Sequence, residues 1–353
     1  MNEAEVICEK VGCCGRITLN RPKALNALTL NMVREIAAAL DRWESDPAVA
    51  CVIITGAGGN AFCAGGDIRV LYNLGKAGRY AEQLCFWREE YRLNRRIKFY
   101  PKPYLALADG IVMGGGSGVS LHGTYVIAGE NFTFAMPEVG IGFVPDVGAT
   151  FFLPRLPSRA GIYLALTGAR MTCGDALAFK VASTHVPSAR HTGFIERVVR
   201  GEAIEAAIAA EHAPPPASAL FKESELIARC FAAETLPAIL GNLELAARAN
   251  SSFAHSTACA IRAKSPTSLA ITLRQMQIGA TMNIGEALQT EFRIASRIAK
   301  GNDYYEGVRA VIIDKDNRPH WTPATIESVP HADIDAYFAP LPGGELDFGT
   351  PAC

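Results

Sequence analysis

The chain has 353 residues, 49% of them hydrophobic and 20% charged, with 34 basic against 35 acidic side chains and a formal net charge of −1. That composition supports one large core or two modest ones and excludes a disordered or fibrous protein. The charge balance leaves no electrostatic footprint for nucleic acid or an anionic membrane, so neither is expected as a partner, and any anionic ligand has to be met locally.

Val6 to Glu9 and Gly15 to Leu19 read as two short strands, ended by Asn20-Arg21-Pro22. From Thr29 to Trp43 the apolar residues Leu30, Met32, Val33, Ile36, Leu40 and Trp43 fall at helical spacing and predict an amphipathic helix capped by Thr29 or Asn31. Val52-Ile53-Ile54 is a continuous apolar run bounded by Gly56, as in a strand buried on both faces. A helix from about Lys76 to Lys98 follows, then a strand at Tyr104 to Ala108, a Gly-rich turn, a helix beginning near Gly116 and a strand at Tyr125 to Ala128. This order predicts an α/β fold whose core spans residues 1–200. From Gly201 the composition shifts to Ala, Glu and Leu, interrupted by Pro214-Pro215-Pro216, and 236–248 and 283–300 are strongly helix-like, so 201–353 reads as a helical C-terminal region covering the active site.

Met1 to Glu5 lacks the pattern of a signal or transit peptide, and no apolar run reaches the roughly 18 to 20 residues needed to span a bilayer. The ten cysteines show no CxxC spacing in a chain large enough to fold without disulfides, and they read as reduced thiols of a cytoplasmic protein. Seven histidines without HxH or HxxxH pairs give no support to a metal centre.

Three stretches carry candidate chemistry. Cys63-Ala64-Gly65-Gly66-Asp67-Ile68 and Met113-Gly114-Gly115-Gly116-Ser117-Gly118 each follow a predicted strand, and unhindered backbone N–H groups there suit an oxygen that gains negative charge. Taken alone, each reads first as a tight turn. Neither matches a P-loop or GxGxxG. The third stretch, Phe134 to Gly148, embeds Glu138 and Asp146 among apolar, Gly and Pro residues, where lost hydration raises a carboxyl pKa toward the range useful in acid/base work. By itself Glu138 is equally a helix cap or a turn residue.

In this order and spacing the stretches resemble the crotonase (enoyl-CoA hydratase/isomerase) superfamily, with Asn20 to Leu28 similar to its amino-terminal CoA-binding segment. Within it the chain is most similar to the 3-hydroxyisobutyryl-CoA hydrolase subfamily, through Trp87-Arg88-Glu89-Glu90-Tyr91, Leu121-His122-Gly123, Pro145-Asp146-Val147-Gly148 and, further on, Ser265 to Leu269 and Tyr305 to Asp316. The resemblance implies a crotonase-like spiral of ββα repeats and hydrolysis of a short 3-hydroxyacyl-CoA thioester, in valine catabolism if the acyl group is 3-hydroxyisobutyryl. It implies no cofactor, since CoA enters as part of the substrate, and a monomer or a homo-oligomer such as a trimer or hexamer.

By position, the resemblance places the thioester oxygen on the N–H groups of Gly66 and Gly115 and makes Glu138, Asp146 and Glu90 the active-site carboxylates. It puts Lys23, Ala24, Ala64, Asp67, Ile68 and Gly114 along the substrate and its CoA portion, Lys23 ahead of Arg21 for the phosphates. The chain departs from the hydratases at Gly118, where they carry a second glutamate, and at Asp146, where they usually carry glycine. Those two positions favour hydrolysis over hydration, the alternative reaction on this fold.

Overall fold

The computed structural model describes residues 4–349. Strands β1 (Val6–Val11) and β2 (Cys14–Leu19) form an antiparallel hairpin. Beside β2 lie β3 (Cys51–Gly56), β5 (Tyr104–Ala108), β7 (Tyr125–Ala128) and β10 (Thr184–His185), all parallel, giving a six-stranded sheet ordered β1-β2-β3-β5-β7-β10. A second sheet, ordered β4-β6-β8-β9, holds β4 (Ala61–Cys63), β6 (Ile111–Met113), β8 (Thr133–Ala135) and β9 (Met171–Thr172).

Along the chain three strands of the first sheet hand on to short strands of the second: β3 to β4, β5 to β6, β7 to β8. Helices separate these pairs, which is the expected ββα repeat. Parallel neighbours need such crossovers, because a tight hairpin can join only antiparallel strands. The apolar run in β3 is buried on both faces, and all five residues of β5 are buried. Cys51, Ile53, Leu105, Leu107 and Ile127 form one face of the sheet, covered by Phe194, Val198 and Ala207 from helices His191–Val199 and Ile204–Glu211. Helix Leu30–Glu44 begins as expected at Thr29, whose hydroxyl accepts the Met32 N–H at 3.2 Å.

The chain groups into two compact units, neither continuous in sequence. One comprises Met1–Asp67, Glu89–Phe134 and Met171–Phe221, and the other Ile68–Arg88, Ala135–Arg170 and Lys222–Cys353. This grouping crosses the division at residue 200. Residues 213–220 stay with the first unit because Asp175 accepts hydrogen bonds from Ser218 and the Leu220 N–H, and the His185 ring meets the Ala213 and Pro214 carbonyls.

The helix expected from about Lys76 to Lys98 is Tyr80–Lys98, and a separate helix, Ile68–Lys76, precedes it and ends before Gly78, which takes a left-handed conformation at φ +72°. The glycine-run helix is a single turn, Gly115–Gly118. The second unit is mostly helical. Its segment Ala160–Thr167 is buried on every side, as suits a helix apolar all round.

That burial depends on Gly161, where an added Cβ would lie 1.8 Å from the Leu153 carbonyl oxygen. Gly241, inside helix Leu236–Arg248, faces nothing within 4 Å. Gly161→Ala should cost about 1–3 kcal/mol by overpacking, whereas Gly241→Ala should gain up to about 1 kcal/mol from helix propensity. Urea unfolding of the two variants checks this, and equal midpoints would contradict the packing described.

Candidate active site

Each unit holds its own group of the candidate residues. In the first, Pro22–Ala24 forms a 3-10 turn, followed by Leu25 and Asn26 in the left-handed region. Such a conformation needs fixing, and the fully buried Asn26 provides it: its Oδ1 accepts the Arg21 N–H at 2.9 Å, and its Nδ2 donates to the Ala57 and Ala61 carbonyls at 2.9 and 2.8 Å. The segment then runs beside the first glycine stretch, with Leu28 paired to Gly66 in a short parallel bridge. Ala64 N–H donates to the Leu25 carbonyl, Leu28 N–H to that of Gly65 and Asp67 N–H to that of Leu28.

These bonds leave the Gly66 N–H without an acceptor among the described residues. The Gly115 N–H, first in its helical turn, is in the same position, because the turn's bonds to the Gly114 carbonyl come from Ser117 and Gly118. The two glycines approach closely: a Cβ on Gly115 would lie 3.2 Å from the Gly66 nitrogen and 2.3 Å from Glu90 Oε1. A side chain at 115 would thus displace the Glu90 carboxylate and fill the space into which the donors open. Gly116 has no room either, with the Cys63 carbonyl oxygen 2.3 Å from where its Cβ would stand.

Glu89 and Glu90 are adjacent and both buried, yet they do different things. Glu89 is held by Arg34 in a bidentate pair at 2.8 and 2.6 Å, whereas Glu90 lies against Gly115. Burial, then the Glu90 charge, pushes the neighbouring Cys63 thiol up to about 12, which keeps it neutral and poorly nucleophilic.

In the second unit Glu138 opens the 3-10 turn Glu138–Ile141, and its carbonyl accepts the N–H of Phe143 at 3.0 Å. Its side chain is only 7% exposed, and Oε2 has no hydrogen-bond partner among the described residues. Burial first, and then the charge of Asp146, raises its carboxyl well above the ordinary value. Asp146 is likewise buried, at 5% exposure.

The turn is pinned from several sides. Trp87 stacks on Phe143 with ring centroids 5.3 Å apart, Tyr304 meets both rings, and Ser265 N–H donates to the Val139 carbonyl at 3.2 Å. Ser265 also caps its own helix and donates to Asp303 at 2.6 Å. Arg309 is enclosed by Glu306, Asp314 and Asp316. The motifs Ser265 to Leu269 and Tyr305 to Asp316 thus serve structure.

Lys23 and Ala24 are exposed on the 3-10 turn, and Ala64 is partly exposed beside Gly65. Gly114 precedes the second glycine turn with φ 46°, and Ile68 begins a helix of the other unit. Arg21 is committed to the fold: it donates to Asp67 at 2.9 Å and to the Ala27 carbonyl at 2.5 Å and pairs with Glu5 at 3.3 Å, which also occupies the Asp67 carboxylate. Glu291 and Gln275 were not singled out from the sequence, yet both are fully buried beside the Asp146 loop, Glu291 accepting the Gly148 and Thr150 N–H groups and Gln275 donating to the Pro145 carbonyl. Their signal was present, since Glu291 sits at i+7, i+4 and i+3 from Ile284, Ala287 and Leu288, on the apolar face of its helix.

The first unit therefore offers two closely spaced backbone donors beside a carboxylate, a combination suited to an oxygen gaining negative charge. The second offers a buried acid with a raised pKa and a like-charged neighbour, suited to taking up or releasing a proton.

A family model described as enoyl-CoA hydratase/isomerase matches residues 14–338. The rat mitochondrial 3-hydroxyisobutyryl-CoA hydrolase is 45% identical over 98% of this chain and 91% of its own length, and the human protein of that name is 43% identical over the same shares. Among solved structures, a carnitinyl-CoA dehydratase from Mycobacterium thermoresistibile superposes with TM-score 0.93 at 40% identity, covering 99% of this chain and 100% of that one. An enoyl-CoA hydratase from Rhodobacter sphaeroides 2.4.1 gives TM-score 0.90 at 42% identity, covering 98% and 100%. A family match across most of the chain, carried by relatives of nearly the same length, makes this chain a member of the enoyl-CoA hydratase/isomerase family.

Proposed function

We propose that the protein hydrolyses 3-hydroxyisobutyryl-CoA to 3-hydroxyisobutyrate and CoA, a step of valine breakdown. Likeness to proteins named for that activity supports this over 98% of the chain. Solved structures of similar identity are titled hydratase or dehydratase, so residue chemistry has to separate the reactions. The observation that carries hydrolysis is the pair Glu138 and Asp146, coupled through charge on one loop, together with Gly118 where the hydratase pattern has its second glutamate.

In this reading the Gly66 and Gly115 N–H groups receive the thioester oxygen as it becomes an oxyanion, each worth roughly 3 kcal/mol. Glu138 acts in its ionised form. As a base it takes a proton from water while the water oxygen bonds to the acyl carbon; as a nucleophile it forms a mixed anhydride that water opens. In either case the C–S bond breaks, sulfur keeps the electron pair and CoA leaves as a thiolate that gains a proton. Asp146 is assigned to the substrate's 3-hydroxyl, with Glu90 beside the attacking water. Lys23, on its exposed turn, is assigned to the CoA phosphates. The reaction calls for no resident cofactor, CoA entering as part of the substrate.

No helix among the described residues is long and apolar enough to cross a membrane. The nine described cysteines are free, which suits a reducing compartment. The cytosol meets that condition, and the animal relatives are named as mitochondrial.

Release of free thiol from 3-hydroxyisobutyryl-CoA should be rapid, should fall roughly 10²–10⁴-fold in Glu138→Gln, and should occur without hydration of crotonyl-CoA. Hydration without thiol release would reverse the assignment. Because the ionised form of Glu138 acts and its folded pKa is raised, kcat/KM should decline as pH falls, at a pH above the ordinary glutamate value of about 4.3. Asp146→Asn removes the like charge and should move that decline to lower pH, so an unmoved or upward-shifted limb would sink the electrostatic account. In H₂¹⁸O, a single turnover through an anhydride that water opens at the Glu138 carbonyl carbon leaves one labelled oxygen in Glu138, detectable by peptide mass, whereas direct water attack on the thioester leaves none.

A further inference from the structure

Between Pro145 and Thr150 the backbone passes through two consecutive left-handed residues, Val147 at φ 52° and Gly148 at φ 90°. For glycine this is free of strain. For a β-branched valine it is a strained conformation that persists only where the surroundings fix it. Asp146 immediately precedes the strained residue, so the direction of its side chain depends on what holds this turn.

Two buried side chains hold it. Glu291, from helix Ile284–Ile298, accepts the Gly148 N–H on Oε2 at 2.7 Å and the Thr150 N–H on Oε1 at 2.8 Å. Gln275, from helix Pro266–Gly279, donates from Nε2 to the Pro145 carbonyl at 3.1 Å and to Thr150 Oγ1 at 3.0 Å. Both side chains are fully buried. The turn closes on itself through the Ala149 N–H, which donates to the Asp146 carbonyl at 2.9 Å. The polar backbone groups on either side of Asp146 are thus tied to two helices more than a hundred residues away.

We infer that Glu291, assisted by Gln275, is a positioning residue for the reaction: it locks the Pro145–Thr150 turn in one conformation and so aims Asp146 at the substrate's 3-hydroxyl. The inference rests on the reading of Asp146 as the hydroxyl's partner. A carboxylate is required because both of its oxygens meet N–H donors, and an amide would turn its NH₂ group against one of them. Packing alone would not select this residue. Burial, and after it the charge of Asp146, works against the ionised form of Glu291 that the Gly148 and Thr150 N–H groups favour, a cost that an apolar side chain filling the same space avoids.

Substrate discrimination tests the inference, because loss of stability alone would not change it. Wild type, Glu291→Gln, Gln275→Met and Asp146→Asn are compared in thiol release from 3-hydroxyisobutyryl-CoA and from isobutyryl-CoA, with thermal midpoints alongside. The ratio of the two kcat/KM values should be large in wild type and collapse in Asp146→Asn. Glu291→Gln should lose at least tenfold in kcat/KM on the hydroxylated substrate, much less on the plain one, so its ratio approaches that of Asp146→Asn, and Gln275→Met should follow in smaller measure. A folded Glu291→Gln that keeps wild-type rate and ratio, while Asp146→Asn loses the ratio, would overturn the positioning role. If Glu291→Gln does not fold, Gln275→Met decides, and an unchanged ratio there overturns the role equally. A ratio that survives Asp146→Asn would instead refute the reading of Asp146, and the inference with it.

Discussion

A carboxyl group buried without a hydrogen bond to one of its oxygens is the constraint on which the second unit is organised. Glu138 could be solvated or paired, and either change would return its pKa toward the ordinary range. The fold instead buries it. Trp87, Phe143 and Tyr304 surround its turn with aromatic area, and Gly142 and Gly307 let the backbone of Asp303 and of Ile141 come within the space a side chain would take. Stability is traded for an acid whose proton affinity is raised, a common property of functional sites.

The first unit solves a different problem without a charged side chain. Its two free N–H groups arise because the chain runs past itself at Leu28 and Gly66, and because a glycine helix begins at Gly115. Glycine is required there for close approach, since Glu90 and Cys63 occupy the space that side chains at 115 and 116 would need. A donor pair of this kind serves any reaction that builds negative charge on a thioester oxygen. That is consistent with a single family holding proteins named as hydrolase, hydratase and dehydratase at similar identity to this chain.

Periodicity made the strands and the long helices legible, because β3, β5 and helix Leu30–Glu44 are buried in register with their apolar residues. The short strands β4, β6, β8 and β9, each of two or three residues, are too brief to carry a pattern and form through their sheet neighbours. Helix Ile68–Lys76, only nine residues long and ended just before the left-handed Gly78, was not read from the sequence, whereas Tyr80–Lys98 was. The candidate acids were found through their apolar setting and the family resemblance. Arg21 shows the limit of that route: a basic residue in a ligand-binding segment reads as a ligand contact until its actual partners, Glu5, Asp67 and the Ala27 carbonyl, are seen. Glu291 and Gln275 were missed for the opposite reason, since an isolated polar residue in a helical stripe shows no partner until the chain is folded.

The most direct test of the account is the titration of Glu138 itself, by ¹³C NMR of chain labelled at the glutamate side-chain carboxyl, with Glu138→Gln spectra subtracted for assignment. The account predicts a resonance that stays in its protonated position well above pH about 4.3 and titrates at lower pH in Asp146→Asn. A Glu138 that ionises at the ordinary glutamate value, unaffected by Asp146, would contradict it.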